Sequence, residues 1–270
     1  MTRILITNDD GISSLGLHAV AIALHDAGHD VLAVAPSGER SGWGAGVGTL
    51  DDGAEFSTEQ FEIPGYEEIS AWSVDGPPAF CVLTAMLETF GKRPELVISG
   101  SNDGANCGRG ILHSGTVGGA MIAQNFGLSG IALSQKRNPS EMIWETSGEV
   151  AIAAVNWIVE AARKTVLNIN IPNTTIDKVK GVRIARIAAF GTTQTSLTGT
   201  VPGNLRIKVS PREVELASDT DTALLDEGFI TVTGLIGYRS ENEKCEEVAE
   251  SIERYACLLY TSDAADELSV

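Results

Sequence analysis

The sequence predicts an α/β protein with a Rossmann-like, three-layer, doubly wound and mostly parallel sheet, and a smaller β-rich C-terminal extension. Three observations support this fold class. Short apolar runs alternate with segments of helical spacing, the runs are apolar on both faces, and the rhythm changes beyond Pro172. At 270 residues the chain is long enough to bury a sizeable core.

The elements of the first part alternate regularly. Apolar runs predict strands at Ile4–Thr7, Asp30–Pro36, Glu95–Gly100, Gly130–Ser134 and Val166–Pro172. Helical spacing predicts helices at Leu17–Ala27, from Pro77 or Pro78 to Gly91, at Thr116–Phe126 and at Glu141–Arg163. Ser13 or Ser14 suits the N-cap of the first helix, and Gly28 suits its end. This order predicts a parallel sheet covered on both faces.

The chain divides into three predicted parts. Residues 1–172 form the Rossmann-like core, and residues 173–256 form a β-rich extension with a C-terminal helix, which we assign to oligomerisation. The extension contains the strand-like segments VRIARIAAF, LRIKV and FITVTGL, and then an acidic amphipathic segment at 242–256. Residues 257–270 continue no pattern, so we interpret them as a non-native or disordered tail.

Composition excludes several classes of function. Nineteen basic against 36 acidic residues give a net charge of −17, without a run of Lys or Arg, which argues against nucleic acid and anionic membrane surfaces as partners. The four cysteines are widely spaced and form no CxxC pair, which argues against a disulfide framework or a zinc site. Neither a signal peptide nor an apolar run of ~18–20 residues is recognisable, so we expect a cytoplasmic protein.

Oxygen-bearing side chains follow three predicted strands. They are Asp9 and Asp10 in NDDG, Ser41 in ERSG, and Asn102 in SGSNDGAN. Ligands of open α/β sheets bind at the carboxyl ends of the strands, and carboxylate, hydroxyl and amide oxygens suit Mg²⁺ or Mn²⁺. The alternative for Asp-Asp-Gly is an ordinary strand-end turn with helix capping.

A second pattern, HSGTVGGAM, places Ser114, Gly115 and Thr116 where a loop enters a helix. Such a helix start can bind an anion, or these residues can simply cap the helix. Neither GxxxxGK[ST] nor GxGxxG is present, which disfavours a P-loop or a dinucleotide site. His113 is a candidate general acid or an ordinary loop histidine, and Cys107 has no evident base, which argues against a nucleophilic role.

Taken together, these motifs resemble the SurE family (survival protein E) of metal-dependent 5′/3′-nucleotidases and acid phosphatases. The matching stretches run in family order from residue 4 to about residue 236: ILITNDDGISSLGL, VLAVAPSGERSGWG, WSVDGPPAFCVL, ELVISGSNDGANCG, HSGTVGGAM, VLNINIPN and DTDTALLDEGFITVTGL. Departures from the family pattern are Ser101, Phe80, Gly118-Gly119 and the absence of a Trp-Gly-Pro stretch beyond Val201-Pro202.

The resemblance implies a metal site, a phosphate site and an assembly. The implied metal ligands are Asp9, Asp10, Ser41 and Asn102, which would hold one Mg²⁺ or Mn²⁺ per subunit. Asn106 and the segment Ser114, Gly115 and Thr116 would contact the substrate phosphate, and Asp9, Asp10 and Asn106 would be catalytic. Family members form dimers or tetramers, so we expect a homodimer or homotetramer.

The predicted activity is hydrolysis of nucleoside 5′-monophosphates, and of 3′-monophosphates as a further option, by metal-assisted attack of water. The protein would then be a phosphoric monoester hydrolase. A non-catalytic nucleotide or phosphate sensor with a metal site is the alternative. A metal-dependent glycosyltransferase would also use paired acids, but no acceptor region is recognisable.

Overall fold

A computed structural model of the chain describes residues 1–162, 164–190, 193–201, 204–211 and 215–237, and six positions between 245 and 253. The strands are β1 Arg3–Thr7, β2 Asp30–Pro36, β3 Thr58–Phe61, β4 Ser70–Val74, β5 Leu96–Asp103, β6 Ser129–Gln135, β7 Val166–Ile171, β8 Val182–Ile184, β9 Thr193–Val201, β10 Asn204–Pro211 and β11 Ile230–Leu235. The helices are α1 Leu15–Asp26, α2 Pro78–Met86, α3 Gly115–Met121, α4 Glu145–Ile158 and α5 Asp221–Asp226. Short 3₁₀ turns occupy Gly108–His113, Ile122–Phe126 and Ile176–Lys178.

Nine of the strands form one sheet in the order β3-β4-β2-β1-β5-β6-β7-β11-β8. The pairs from β4 through β7 are all parallel, whereas β3 and β11 run antiparallel to their neighbours β4 and β7. The predicted doubly wound, mostly parallel sheet is therefore confirmed. The chain winds outward in opposite directions from β1, and the carboxyl ends on either side of such a switch point form the usual ligand crevice.

Helices cover both faces of the sheet, which follows from the alternation of side chains along each strand. Ile4 and Ile6 of β1 pack in the same apolar cluster as residues of α1 and α4, whereas Leu5 packs in the cluster that includes α2. All three side chains are fully buried. The sheet is thus the middle of three layers, as predicted.

Several elements differ from the prediction. The strands β3, β4 and β9 were not predicted, and the strand-like segment VRIARIAAF contains a strand only at Val182–Ile184. β3 lies at the edge of the sheet with β4 between it and β2, and both strands lie in a segment rich in polar, Gly and Pro residues, which obscures the strand pattern. The helices α2 and α4 end at Met86 and Ile158, before the predicted Gly91 and Arg163.

The helix predicted to begin at Glu141 begins at Glu145. The backbone of Ile143 is instead anchored outside the helix: its N–H donates to Asn173 Oδ1 (2.9 Å) and its C=O accepts from Gln135 Nε2 (2.9 Å).

The chain beyond residue 172 contributes to two sheets. β11 and β8 continue the nine-stranded sheet, so the sheet does not end at the boundary that the sequence suggested. β9 and β10 form a separate antiparallel pair within the predicted β-rich extension. The pair exposes Leu197, Leu205, Ile207 and Val209 by 59–71%.

The chain separates into two compact units, Met1–Gly237 and Tyr238–Val270. The helix predicted at 242–256 falls largely outside the described residues, although positions 248–250 and 252–253 are helical. The predicted tail, residues 257–270, lies wholly outside them.

Candidate active site

The predicted oxygen ligands lie at the carboxyl ends of three neighbouring strands. Asp9 and Asp10 follow β1, and Ser41 follows β2. Asn102 is the penultimate residue of β5. Because β1 lies between β2 and β5, these ends meet at one edge of the sheet. The strand predicted to stop at Gly100 continues to Asp103, with a register shift between Ser99 and Asn102. Such irregularities in pairing commonly re-aim side chains near functional sites.

Two hydrogen bonds join the three strand ends. The backbone N–H of Arg40 donates to the main-chain oxygen of Asp9 (2.7 Å), and the backbone N–H of Asp103 donates to Asp10 Oδ2 (3.2 Å). Arg40 and Asp103 are each directly bonded along the chain to one of the other predicted ligands. The structure therefore brings the backbone of all four predicted ligands to the same place.

Asp9 is almost completely buried, with 3% of its surface exposed. Thr116 Oγ1 donates to Asp9 Oδ1 (2.6 Å), and Gly115 lies so close that a Cβ there would be 2.8 Å from Asp9 Oδ2. Burial raises the pKa of Asp9, and hydrogen bonds from the hydroxyl and backbone N–H of Thr116 lower it in part. The Asp9 carboxylate is thus fixed against the start of α3.

Asp10 is half-buried beside Asp9 and carries the second carboxylate. Burial, and after it the charge of Asp9, raises the pKa of Asp10 from its ordinary value of 3.8 to about 6. No Lys, Arg or His in the described part of the chain forms an ion pair with Asp9 or Asp10. Two adjacent, poorly solvated carboxylates without a cationic side chain favour the binding of an external cation.

The simple-turn alternative for NDDG applies to its first and last residues, Asn8 and Gly11, and not to the two aspartates between them. Asn8 makes the turn: its Oδ1 accepts from the Gly11 N–H (3.1 Å) and its Nδ2 donates to the Gly11 C=O (3.0 Å). The N-cap of α1 is Ser14, as predicted, although its side chain makes no capping hydrogen bond. Neither Asp9 nor Asp10 is therefore occupied in capping α1.

Ser41 and Asn102 are held by short local contacts. Ser41 is exposed, and its backbone N–H donates to Glu39 Oε1 (2.8 Å). Asn102 is half-buried, and its Nδ2 donates to the Gly104 C=O (2.6 Å). In the described residues no donor contacts Asn102 Oδ1, so this oxygen remains an available acceptor or ligand.

Asn106 is held by a polar network that the sequence analysis missed. Its backbone N–H donates to Asn170 Oδ1 (2.8 Å), and its C=O accepts from Asn168 Nδ2 (2.9 Å) and Asn170 Nδ2 (3.0 Å). Asn106 Nδ2 donates to Ser134 Oγ (2.8 Å), which leaves its second N–H for another acceptor. The signal was present in VLNINI, where two asparagines two positions apart interrupt an otherwise apolar strand.

The segment Ser114–Thr116 begins α3 beside Asp9. Ser114 Oγ accepts from the Val117 N–H (3.1 Å), which is the capping alternative for this residue. Because the Ser114 hydroxyl caps the helix and the Thr116 hydroxyl donates to Asp9, both hydroxyls already have partners in the chain. The Thr116 hydroxyl thus fixes Asp9. Contact of Ser114, Gly115 and Thr116 with a phosphate stays a prediction.

Gly118 brings the loop after β2 against α3. A Cβ on Gly118 would overlap the carbonyl oxygen of Gly44 and lie 2.6 Å from the Ala45 N atom. The Gly44 N–H also donates to the main-chain oxygen of His113 (3.2 Å). The glycine that departs from the family pattern thus permits a close backbone contact by the loop that carries Ser41.

Three charged residues near the site were not predicted. Arg137 donates through Nε (3.1 Å) and Nη2 (3.0 Å) to the carboxylate of Asp103, the residue whose N–H holds Asp10. Glu39 follows β2, and its charge adds to the elevation of the pKa values of Asp9 and Asp10. Asp103, the acid of SNDG, and Glu39, the acid of ERSG, could have been noticed within these motifs, but Arg137 stands in a loop without a motif.

Other candidate residues have different roles. Cys107 is buried, which raises the pKa of its thiol, so the thiolate needed for nucleophilic attack is disfavoured. Arg40 pairs with Asp75 (2.6 Å). His113 is exposed, and the contact noted above is made by its backbone.

The donor set fits a hard cation. Among the described residues no group of three or more His, Cys, Asp or Glu side chains could hold a metal ion, so a site rich in nitrogen, sulfur or carboxylate ligands is not found there. The candidate site instead combines two carboxylates with a hydroxyl and an amide oxygen. Mg²⁺ and Mn²⁺ accept such ligands, and Mg²⁺ in particular is usually bound by one or two carboxylates.

Comparison with known proteins identifies the family. The family model described as Survival protein SurE matches residues 4–194. A relative from Picosynechococcus sp., named 5′-nucleotidase SurE, is 35% identical over 255 residues, which cover 86% of this chain and 90% of the relative. The chain belongs to the SurE family.

Two further SurE proteins support the assignment. A protein from Cronobacter sakazakii, named 5′/3′-nucleotidase SurE, is 32% identical over 238 residues. The aligned residues cover 86% of this chain and 89% of that relative. The crystal structure of the SurE protein from Aquifex aeolicus matches with a TM-score of 0.75 at 28% identity, covering 92% of this chain and 99% of that chain. The resemblance to SurE proposed from the motifs is therefore confirmed.

The remaining departures from the SurE pattern have local partners. Ser101 is fully buried, and its hydroxyl is hydrogen-bonded to the Ser147 hydroxyl (2.8 Å). Phe80 packs against Phe56 with ring centroids 4.3 Å apart. Neither departure replaces a predicted ligand.

The described residues also contain no helix that is long and apolar enough to cross a membrane.

Proposed function

We propose that this chain is a metal-dependent phosphatase that hydrolyses nucleoside 5′-monophosphates to nucleoside and phosphate, with 3′-monophosphates as a second substrate class. The observation that carries the proposal is the Asp9–Asp10 carboxylate pair, which lacks a cationic partner among the described residues. It lies at the ligand-binding edge of the sheet, in a chain whose SurE relatives are named 5′-nucleotidases.

The metal would be one Mg²⁺ or Mn²⁺, held by Asp9, Asp10, Ser41 and Asn102. SurE nucleotidases as a family imply such a divalent cation. When bound, the cation supplies positive charge that offsets the phosphoryl group and makes a nearby water more acidic. The chain's own contribution is to place its carboxylates, chiefly through the hydrogen bonds from Thr116 to Asp9 and from Asp103 to Asp10, which also offset part of the rise in the pKa of each aspartate.

Asn106 and the start of α3 would position the phosphoryl group. The second N–H of Asn106 Nδ2 can donate to a phosphoryl oxygen, because the first is held by Ser134. Gly115 offers a backbone N–H at the same edge, whereas the N–H groups of Thr116 and Val117 are already bonded to Asp9 and Ser114. Fixed donors of this kind stabilise charge that develops during phosphoryl transfer.

One aspartate would accept a proton from the attacking water. Asp10 is the better placed of the two, because it is more exposed than Asp9 and no described residue donates to its Oδ1. Asp9 Oδ1, in contrast, already accepts from Thr116. The group that protonates the leaving nucleoside oxygen is not assigned.

The direct test is phosphate release from nucleoside 5′- and 3′-monophosphates and from p-nitrophenyl phosphate. We expect release with Mg²⁺ or Mn²⁺, loss of release with a chelator, and recovery when the metal is restored. Release that persists with the chelator would contradict metal dependence. Binding of nucleotides without release of phosphate would favour the sensor alternative.

Metal should stabilise the protein more at pH 7 than at pH 5. Without metal, the raised pKa values of Asp9 and Asp10 mean that the folded state holds protons that the unfolded state releases. Their contribution to stability is therefore fully present below about pH 4 and is lost as the pH rises through their raised pKa values, which for Asp10 is about 6. A cation that binds the ionised pair restores stability at pH 7 but competes with protons at pH 5.

Thermal unfolding with and without Mn²⁺ at the two pH values measures this difference. Each kcal/mol of stabilisation should raise Tm by about 2–4 °C. Asp10→Asn should remove most of the pH dependence of the metal effect, whereas Asp52→Asn, in an exposed loop, should not. Equal metal-induced shifts at both pH values would contradict the prediction.

Assembly into a homodimer or homotetramer remains part of the proposal. The exposed apolar side chains of the β9–β10 pair support it, since large apolar surfaces commonly form interfaces. Sedimentation velocity of the full chain, compared with Ile207→Lys, would measure the oligomeric state. A monomer in both cases would contradict it.

A further inference from the structure

A pocket of about 320 Å³ lies outside the carboxylate site, between the turn that follows Asn106 and the chain that follows β8. Its lining combines aromatic, apolar and charged side chains: Arg109, Arg186, Ile187, Phe190, Glu215 and Leu216. Phe190 is 43% exposed and Ile187 is 38% exposed. This volume falls within the range of small-molecule sites, which begins at about 300 Å³.

The pocket is built onto the proposed phosphate loop. Asp221, which is fully buried, accepts from the Gly108 N–H through Oδ2 (2.8 Å) and from the Ala188 N–H through Oδ1 (2.9 Å). Gly108 is next to Arg109 on one side of the pocket, and Ala188 lies within the 186–190 segment on the other side. The Asp221 carboxylate therefore holds both sides of the pocket. Arg109 is three residues from Asn106, which limits the distance between their Cα atoms to about 11 Å.

The chemistry of the lining suits a flat, polar aromatic ligand. Phe190 is partly exposed, and exposed phenyl surface can stack with a nucleobase. No described residue forms an ion pair with Arg109, whose guanidinium can stack on a base or approach the phosphate. Arg186 differs, since it is held by Asp219 through two hydrogen bonds (2.6 and 2.8 Å). Glu215 supplies an acceptor for hydroxyl or amino groups.

We propose that this pocket binds the nucleoside part of the substrate, with the base against Phe190 and Arg109 and the phosphate at Asn106. The inference rests on the proposed function and extends it, because it names the residues that would distinguish a nucleotide from a simpler phosphomonoester. Loss of a base–aromatic stack typically weakens binding by about 5- to 150-fold.

The test compares Phe190→Ala, Phe190→Trp and Arg109→Ala with the intact protein. The ratio of kcat/KM for AMP to kcat/KM for glycerol 2-phosphate should fall about tenfold or more in Phe190→Ala, mostly through KM. Arg109→Ala should lower the same ratio, and Phe190→Trp should restore it because a stacking surface returns. Arg206→Ala, on the exposed face of β10, is the matched control and should leave the ratio unchanged.

Binding of adenosine, measured by equilibrium dialysis, gives a second readout that does not depend on turnover. Adenosine should bind the intact protein and bind Phe190→Ala about tenfold more weakly. Equal losses for AMP and glycerol 2-phosphate, or equal adenosine binding by the intact protein and both alanine variants, would overturn the pocket assignment while leaving the phosphatase proposal intact. Phe190-dependent adenosine binding without any phosphate release would instead overturn the proposed function alone. Arg109 and Phe190 lie on different segments, so misfolding of one variant leaves the other as a test.

Discussion

Asp9→Asn and Asp10→Asn should each reduce phosphate release by at least about 100-fold. Asparagine preserves the shape of the side chain but removes the charge, so the site loses half of its carboxylate charge toward a divalent cation. A loss of about 3 kcal/mol in transition-state stabilisation corresponds to this factor. Initial rates with AMP and saturating Mn²⁺ would measure it, and Mn²⁺ affinity measured by electron paramagnetic resonance should fall in parallel.

The two variants should also differ from each other. Asp9 is buried and accepts a hydrogen bond from Thr116, so Asp9→Asn puts an NH₂ group in place of a tightly packed carboxylate oxygen. Asp10 is more exposed, so the same change disturbs less packing there. We therefore expect lower thermal stability in metal-free Asp9→Asn than in metal-free Asp10→Asn. Asp52→Asn controls for the loss of one negative charge. Full turnover in either site variant would contradict the assignment of that aspartate to the site.

Gly118→Ala should reduce activity by about tenfold or more and weaken the metal site. The new Cβ would overlap the carbonyl oxygen of Gly44, so the loop that carries Ser41 must move away from α3. Overpacking of this kind commonly costs about 1–3 kcal/mol. Mn²⁺ affinity and kcat/KM for AMP would measure the effect of the loop displacement on the site. Tm would measure its effect on the stability of the fold.

Gly110→Ala is the matched control for this substitution. A Cβ on Gly110 has no atom within 4 Å, and the residue lies in an exposed part of the 3₁₀ turn before α3. It should leave metal affinity and activity close to those of the intact protein. Unaltered Mn²⁺ affinity in Gly118→Ala would show that Ser41 does not depend on this contact.

The central part of the fold could be predicted because its strands are buried on both faces. β1, β2 and β5 to β7 are apolar runs, and they alternate with helices whose apolar residues follow the helical period. β3, with the sequence TEQF and mostly exposed side chains, has no such signal because it is an edge strand. Local spacing placed the start of α4 four residues too early, because it cannot show that Ile143 is bonded to the side chains of Gln135 and Asn173, the latter 30 residues away.

The candidate site was predictable where its residues follow strands and form compact motifs. Asp9, Asp10 and Asn102 could be associated because parallel strands end at a common edge. Asp221 could not, because its importance depends on Gly108 and Ala188, which lie 113 and 33 residues away along the chain. Likewise, only the fold shows that the Thr116 hydroxyl is directed to Asp9 instead of being freely available.

The anchoring of the Asn106 loop has a consequence for biosynthesis. Two of its anchors, Asn168 and Asn170, follow Asn106 by 62 and 64 residues, and Asp221 follows Gly108 by 113. A chain emerging from the ribosome therefore has its acidic residues long before the loop opposite them can be fixed. Chains interrupted soon after residue 172 would contain β1 to β7 and both asparagines but would lack Asp221, which anchors Gly108. Completion of the site is thus delayed until most of the chain has been made, which limits activity in partial translation products.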